Sequence, residues 1–236
     1  MLTPPDLDPA AVRRQFSRRA AAAVRADFLL REVEARMLER LDGVRLSPRD
    51  ALDVGCGAGH GLLALKKRYP SAALLGLDSA FAMAQAARRT LAAPAQGFFA
   101  RLRGAAAEPI ARVAVADAHA LPLADSSVDL VWSNLALHWF EAPERAFAEW
   151  YRVARPGALV EFSFFSVDTF VELRRLGARM MPFHDMHDIG DLLVAAGFAE
   201  PVMDTERLAL SWADPAALLA DLRALGGNAL RQRFRG

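Results

Sequence analysis

Apolar and polar positions alternate in a β/α rhythm through the middle of the chain. Short apolar runs of strand length are followed by stretches in which apolar residues recur every three or four positions, which is the spacing of one helix face. Between residues 50 and 165 this pattern predicts five strands with helices between them, and so an α/β fold with a doubly wound, mostly parallel sheet. The predicted strands cover residues 52–54, 73–77, 113–116, 128–133 and 158–165, and the predicted helices cover 62–68, 81–91 and 143–153.

Helical patterns flank this core on both sides. Apolar residues spaced four apart predict two N-terminal helices, the first after the Asp8-Pro9 pair, and Ser47-Pro48 breaks the chain before the first strand. After the core, the pattern predicts three helices over 169–176, 188–196 and 215–225 and two strand-like runs within 202–212. Residues 92–111 show little periodicity and predict a surface insertion. We expect a single domain, made of N-terminal helices (1–47), a core (48–165) and a helical and strand supplement (166–236).

Length and composition restrict the class of protein. The chain has 236 residues, 53% of them hydrophobic, which is enough to bury a full core. Its 29 basic and 28 acidic residues leave a formal net charge of +1, so we expect no nucleic-acid partner. No apolar stretch is long enough to span a bilayer and no apolar signal region follows Met1, so we expect no membrane partner. Cys56 is the only cysteine, which excludes an internal disulfide, and we expect a soluble protein of the cytoplasm.

The stretch from Leu52 to Gly61, LDVGCGAGHG, predicts a strand, a tight turn and a helix. Glycines at alternate positions allow positive φ and a close approach of the backbone to a small molecule, and the next helix offers free N–H groups. The dinucleotide fingerprint needs a glycine where His60 stands, so the spacing is G-x-G-x-G instead. Asp78 ends the second strand, where a carboxylate can bind both hydroxyls of a ribose. The cofactor-binding candidates in this part of the chain are Asp53, Gly55, Gly57, Gly59 and Asp78.

Two further strand ends complete the candidate cofactor site. Asp117 and Ala118 follow the third strand, where a carboxylate can accept a hydrogen bond from an adenine amino group while the next backbone N–H meets a ring nitrogen. Asn134 follows the fourth strand and is a further cofactor-binding candidate. In this order, the acid before the glycine turn, the turn and the later acids resemble the class I S-adenosylmethionine (SAM) methyltransferases. The resemblance implies their Rossmann-like fold and SAM as the cofactor.

Histidines supply two further candidate groups. His138 is either a general base, since an unperturbed imidazole titrates near about pH 6.5, or a pocket wall beside Trp139. Methyltransferases that act on amino groups carry two prolines after the residue at Asn134, but Leu135 and Ala136 follow it here. The segment MPFHDMHDIG contains closely spaced histidines and aspartates. No further His or Cys nearby completes a zinc set, so we interpret it as a helix N-terminus with an acidic first turn and expect no metal.

Five segments spread over nearly the whole chain carry a narrower resemblance: RRQFSRRAA, DVGCGAGHG, ADAHALPLADSSVDLVWSNLALHW, FSVDTFVELR and DMHDIGDLLVAAGFAEPVMD. They are similar to segments of the BioC-type malonyl-acyl-carrier-protein O-methyltransferases of biotin synthesis. The last two are the most specific, because nothing in the cofactor fold requires them. One departure is Ala23, seven residues after Phe16, where that family usually carries a Tyr. A sister family, the methyltransferase-like assembly factor of respiratory complex I that hydroxylates an arginine, shares the late segments. That function, another small-molecule methylation and SAM binding without catalysis stay open as alternatives.

The resemblance to the BioC-type enzymes implies a simple reaction. The acceptor is the free carboxylate of a malonyl thioester, which is already ionised at neutral pH, so no general base is required. The enzyme has to align the reacting atoms and exclude water, and an arginine is the natural group to orient a carboxylate. The catalytic candidates are Arg174, with Arg175 second, and His138. Malonyl-acyl-carrier protein or malonyl-coenzyme A is the implied substrate. The Arg-rich N-terminal helix and the basic tail are either contacts for an acidic carrier protein or solvated faces.

Overall fold

The structure, a computed structural model, describes residues 7–25, 27–92, 110–178 and 180–225. Two helices precede the sheet, as the sequence predicts: α1 (Pro9–Arg25) and α2 (Phe28–Arg40). The Asp8 carboxylate accepts a hydrogen bond from the Ala11 N–H at 3.0 Å, which satisfies a free donor at the start of α1. Within the part of the chain that the structure describes, no helix is long and apolar enough to cross a membrane.

Five parallel strands form a sheet in the order β3-β2-β1-β4-β5. The strand order reverses between β1 and β4, so the predicted doubly wound α/β fold is confirmed. The strands are β1 (Asp50–Val54), β2 (Ala73–Asp78), β3 (Arg112–Val115), β4 (Val128–Ser133) and β5 (Ala154–Phe162). The helices that the structure describes between them are α3 (His60–Arg68), α4 (Phe81–Thr90) and α5 (Pro143–Val153).

The last strand is the one whose bounds differ most from the sequence prediction. It begins at Ala154 rather than at residue 158, and it also ends sooner. Ala154 pairs with β4, and the register shifts before Leu159 pairs with Leu130. Residues 155–157 precede the predicted start of the strand at residue 158. They lie instead within it at this irregularity, where Gly157 adopts a φ of +82°.

Both faces of the central strands β1 and β4 are buried, which explains why these strands are nearly continuous apolar runs. Neighbouring residues of one strand pack on opposite faces: Leu130 contacts the cluster of Met37 and Leu65, whereas Val131 contacts the cluster of Trp150. Leu130 and Val131 are fully buried. Burial of one such side chain contributes about 1.5–3 kcal/mol to the free energy of unfolding. Burial of the central strands therefore fixes the positions of the ends of β1 and β4.

Within the described residues, three helices follow the sheet: α6 (Val171–Arg175), α7 (Met186–Ala196) and α8 (Pro215–Ala224). Helix α6 is shorter than the predicted 169–176. The predicted end of α7 is confirmed, because Gly197 follows it in the left-handed conformation at φ +101°. The predicted start of α8 is also confirmed, because the Asp214 carboxylate accepts a hydrogen bond from the Ala217 N–H at 2.9 Å.

The prediction of two strand-like runs within 202–212 is wrong, because residues 201–212 form no strand. The sheet ends at β5, and this segment is held to α2 by ion pairs instead. Asp204 lies 2.8 Å from Arg40, and Glu206 lies 3.1 Å from Arg36. The predicted insertion (92–111) and the basic tail lie largely outside the described residues, which leave out 93–109 and 226–236.

Candidate active site

A cavity of about 260 Å³ opens at the carboxyl ends of the strands. It lies where the strand order reverses, which is the place where open α/β sheets bind ligands. Side chains of α1 and α2 line it on the side of the N-terminal helices. The cavity brings together most of the sequence-predicted site residues: Asp53, Gly55, Gly57, Asp78, Asp117, Ala118, Asn134 and His138. Gly59 and Arg174 are not among the residues that line it.

The glycine turn has the conformation that its spacing predicts. Gly55, Gly57 and Gly59 adopt φ values of +77°, +52° and +83°, which side chains rarely tolerate. A Cβ atom at Gly55 would lie 2.5 Å from the Cβ of Ala136, so the turn and the segment after β4 fit only without it. Gly59 is the N-cap of α3, which explains why it supports the turn without lining the cavity.

Asp78 holds the glycine turn and faces the cavity. Its carboxylate accepts hydrogen bonds from the Gly57 N–H at 3.0 Å and the Ala80 N–H at 2.8 Å. Burial raises the pKa of Asp78 to about 6, although these two hydrogen bonds oppose the shift. A carboxylate has acceptor positions beyond these two, and they are available to the hydroxyls of a ribose.

Asp117 and Asn134 both already make hydrogen bonds within the protein. Asp117 accepts from the His119 N–H at 2.9 Å and lies 2.7 Å from its Nδ1. Burial raises the pKa of Asp117, but the hydrogen bonds from His119 outweigh it and hold that pKa below its usual value. Asn134 donates from Nδ2 to the Leu30 carbonyl at 2.8 Å and accepts from the Ser163 hydroxyl at 2.9 Å. Asn134 therefore ties α2 to the end of β4.

Asp53 and a residue that the sequence analysis missed, Glu34, form the most acidic part of the cavity. Asp53 is 3% exposed, and burial followed by the repulsion of Glu34 and Asp78 raises its pKa well above the usual value. Burial raises the pKa of Glu34 to about 7, with Arg31 opposing the shift. The only sequence signal for Glu34 is its position four residues after Leu30, on the same face of α2.

His138 lies in an aromatic wall on the opposite side of the site. Its ring centroid is 4.5 Å from that of Phe165 and 5.1 Å from that of Trp139. It is 2% exposed, and its Nδ1 has no hydrogen-bond partner among the described residues. Burial, with a smaller contribution from His184, lowers the pKa of His138 to about 3. The imidazole is therefore neutral near pH 7 and a weak base, which agrees with a pocket wall.

The arginines of the cavity are not the one that the sequence singled out. Arg174 donates to the Val167 carbonyl, and Arg175 does not line the cavity either. Arg13, Arg31 and Arg145 line it instead. The side chain of Ala23, which stands where the resembling family has a Tyr, lies outside the described residues.

The His and Asp segment before α7 behaves as a helix start. Asp185 is the N-cap of α7, and its carboxylate accepts a hydrogen bond from the His187 N–H at 2.8 Å. His184, by contrast, is buried, with 7% of its surface exposed. Within residues 7–25, 27–92, 110–178 and 180–225, no group of three or more His, Cys, Asp or Glu residues is placed to hold a metal ion.

Comparison with known proteins adds family information to this geometry. A family model described as a methyltransferase domain matches residues 52–162. A malonyl-acyl-carrier-protein O-methyltransferase of Methylovorus sp. is 42% identical, over 98% of this chain and 77% of its own length. One from Laribacter hongkongensis is 44% identical, over 97% of this chain and 77% of its own length.

Solved structures share the fold at low identity. A chain in the complex of the Haloferax volcanii Trm112 methyltransferase activator with a putative methyltransferase has a TM-score of 0.60 at 22% identity, over 77% of this chain and 75% of its own. A possible histamine N-methyltransferase of Thermotoga maritima has a TM-score of 0.58 at 22% identity, over 79% of this chain and 81% of its own. The fold is therefore that of the class I SAM methyltransferases.

Proposed function

Because the chain belongs to the family of malonyl-acyl-carrier-protein O-methyltransferases, we propose that it transfers the methyl group of SAM to the free carboxylate of malonyl-acyl-carrier protein, early in biotin synthesis. The observation that carries this proposal is the extent of the similarity, which covers 97–98% of the chain in relatives of that name. The similarity thus includes the segments outside the cofactor core. The cytoplasm remains our proposed compartment, on the sequence grounds given above.

The cavity fits the cofactor in two respects. Its glycine turn packs against the segment after β4 only because Gly55 has no Cβ, which leaves the backbone of the turn lining the cavity. Its buried Asp53 carboxylate has no cation bonded to it among the described residues. When bound, SAM supplies an electrophilic methyl group on a positively charged sulfur. We propose that Asp78 binds the ribose hydroxyls, that Asp117 and the Ala118 N–H bind the adenine, and that Asp53 faces the methionine end. Gly57 brings its backbone to the cavity, while Gly59 and Asn134 hold the surrounding elements.

The residues on the acceptor side orient a carboxylate and exclude water. A malonyl carboxylate is ionised at neutral pH, so the reaction needs no proton acceptor, which is consistent with a neutral His138. Phe16, Trp139 and Phe165 give this side of the cavity aromatic walls. Such walls keep water from solvating the carboxylate and leave it more reactive. His138 in this arrangement shapes the wall instead of acting as a base.

Arg145 is the arginine that the cavity offers to the acceptor carboxylate. Arg31 lies 2.5 Å from Asp27 and is bound to it, and Arg13 faces Asp117 on the adenine side. Arg145, in the first turns of α5, makes no ion pair with any described residue. A guanidinium presents a planar pair of donors that matches a carboxylate. Arg174 remains the sequence-based candidate for the same role.

The family does not favour the alternatives that the sequence left open. Both relatives compared above are named as malonyl-acyl-carrier-protein O-methyltransferases, and neither is named as a hydroxylase or an assembly factor. The names of these relatives specify the acyl-carrier protein, and not coenzyme A, as the carrier of the malonyl group. We propose the carrier protein as the substrate.

The test is an initial-rate assay with labelled SAM and three acceptors. Malonyl-acyl-carrier protein is compared with malonyl-coenzyme A and with acetyl-acyl-carrier protein, which lacks the free carboxylate. We expect label in both malonyl thioesters, with the higher kcat/KM for the carrier protein, and none in the acetyl form. Equal labelling of the acetyl form would mean that the carboxylate is not the methylated group. Retention of a respiratory subunit during purification, without malonyl methylation, would support the assembly-factor alternative.

A further inference from the structure

With the proposed adenine and ribose contacts, the methionine end of the cofactor would lie beside α2. The proposed adenine and ribose contacts, Asp117 and Asp78, follow β3 and β2, which lie on one side of β1. A cofactor held by these two residues would extend its other end over β1 and β4. Helix α2 lies there, held by the hydrogen bond from Asn134 to the Leu30 carbonyl at 2.8 Å. Glu34, one turn after Leu30, lines the cavity at this point.

Glu34 and Asp53 share one small space above Gly61. A Cβ atom built on Gly61 would lie 2.9 Å from Oδ2 of Asp53, 3.4 Å from Oε2 of Glu34 and 3.2 Å from Nε1 of Trp132. A residue with a side chain at position 61 would therefore collide with this group of polar atoms. Gly61 is in the first turn of α3. Four elements therefore meet here, namely α2, α3, β1 and β4.

Trp132 adds a second, independent observation. Its side chain is fully buried and lines the cavity, and its Nε1–H has no hydrogen-bond partner among the described residues. A buried donor without a partner is costly, as is a buried carboxylate without a cation. One unpartnered donor beside two carboxylates matches a ligand that carries both an ammonium and a carboxylate group. The amino-acid end of SAM is such a group.

The surrounding charges leave this pair without a protein cation. On α2 and its N-cap, Arg31 and Asp27 face Glu34, but the Arg31 guanidinium is bound to Asp27 and also contacts the ring of His60 on α3. From β2, Asp78 adds a second negative charge near Asp53. No hydrogen bond or ion pair joins a cation to Glu34 or Asp53 within the described ranges.

We propose that Glu34 is the second carboxylate of a seat for the α-ammonium group of SAM, and that the Glu34–Asp53 pair releases a proton to solvent when this seat is filled. The ammonium has three N–H donors, and two carboxylates accept from it better than one. In the protein without cofactor, burial raises the pKa of both carboxyl groups and the negative charge of Glu34 adds to the shift at Asp53, so the pair retains a proton near neutral pH. The ammonium replaces that proton as the compensating charge, and no bond of the cofactor changes.

Calorimetric titration of S-adenosylhomocysteine tests this, because that molecule has the same amino-acid end and undergoes no reaction. Titrations at pH 7 in two buffers of different ionisation enthalpy measure proton release. We expect the wild-type protein to release a substantial fraction of one proton. We expect Glu34→Gln to bind about tenfold more weakly, the loss of one charge-assisted hydrogen bond, and to release clearly fewer protons.

Two controls separate this role from damage to the fold. Glu39→Gln changes an exposed carboxylate on the same helix and should leave affinity and proton release unchanged. Methylthioadenosine lacks the amino-acid end, so its affinity should be the same in the wild-type protein and in Glu34→Gln. Glu34→Asp retains a carboxylate and should retain the proton release.

Wild-type affinity and proton release in Glu34→Gln would overturn the proposal, as would an equal loss of affinity for methylthioadenosine. The proposal rests on the cofactor part of the proposed function and not on the acceptor. A protein that releases the proton but methylates no malonyl thioester would therefore contradict the acceptor alone.

Discussion

The two sides of the cleft differ in what sets the position of their residues. On the proposed cofactor side, Asp53, Asp78 and Asp117 lie at or just after the ends of β1, β2 and β3, so the sheet itself determines where they are. On the proposed acceptor side, Phe16 and Arg145 belong to helices, whose positions depend on how they pack. The order of elements along the chain is therefore enough to predict the first group. It is not enough to predict the second.

The largest effect is expected from a side chain in the glycine turn. In Gly55→Ala, the new Cβ overlaps Ala136 and the residue is forced to a positive φ of +77°. We expect a loss of about 2–5 kcal/mol in the free energy of unfolding, from strain plus overlap, and a loss of measurable S-adenosylhomocysteine binding. The control is Gly157→Ala, which has a similar φ of +82° but open space around it. It should lose only about 1–2 kcal/mol and bind normally, as measured by thermal unfolding and calorimetry.

A smaller effect on the same side is expected from Asp78→Asn. The amide keeps a similar shape but loses the charge and one acceptor, so we expect cofactor affinity to fall about tenfold or more. The KM for malonyl-acyl-carrier protein should stay within about twofold, because Asp78 is assigned to the ribose. An effect confined to the acceptor KM would break the division of the cleft into two sides.

The acceptor side is tested by comparing Arg145→Ala with Arg174→Ala. We expect Arg145→Ala to raise the KM for malonyl-acyl-carrier protein about tenfold, the value of a charged hydrogen bond, and to leave cofactor affinity unchanged. Arg174→Ala should change neither, because its guanidinium is bound to the Val167 carbonyl outside the cavity. Steady-state kinetics give both values. The reverse result would restore the sequence-based candidate.

The smallest effect is expected from pH on the chemical step. His138 has a pKa lowered to about 3 and the acceptor carboxylate is ionised, so neither group titrates between about pH 6.5 and 9. We expect kcat at saturating SAM to be nearly constant over that range, in the wild-type protein and in His138→Phe alike. A kcat that rises with pH in the wild-type protein, and no longer does so in His138→Phe, would identify His138 as a base.

We expect protein stability to depend on pH in the acidic range, below the range in which kcat is nearly constant. The folded-state pKa of His138 lies below its unfolded value of about 6.5, so the unfolded chain binds more protons as the pH falls below that value. The contribution of His138 is thus present above about pH 6.5 and is lost toward pH 3. His138→Phe should weaken the fall in thermal unfolding temperature over this window, measured against the wild-type protein.

The sequence predicted the sheet well because each strand carries its own apolar run between turns. The glycine turn and the acids after the strands were predictable for the same local reason. Two errors had non-local causes: residues 155–157 lie in β5 because of a register shift with β4, and residues 201–212 are held by ion pairs to α2. Glu34 was missed because only the path of α2 across the cleft brings it beside Asp53.

Single-turnover methyl transfer tests the central claim most directly. The wild-type protein is mixed with isotopically labelled SAM and malonyl-acyl-carrier protein, and mass spectrometry locates the added methyl group on the carrier. Our account predicts one labelled methyl group on the malonyl carboxylate, as an ester that base hydrolyses. Firm binding of SAM with no label on the malonyl group would contradict it.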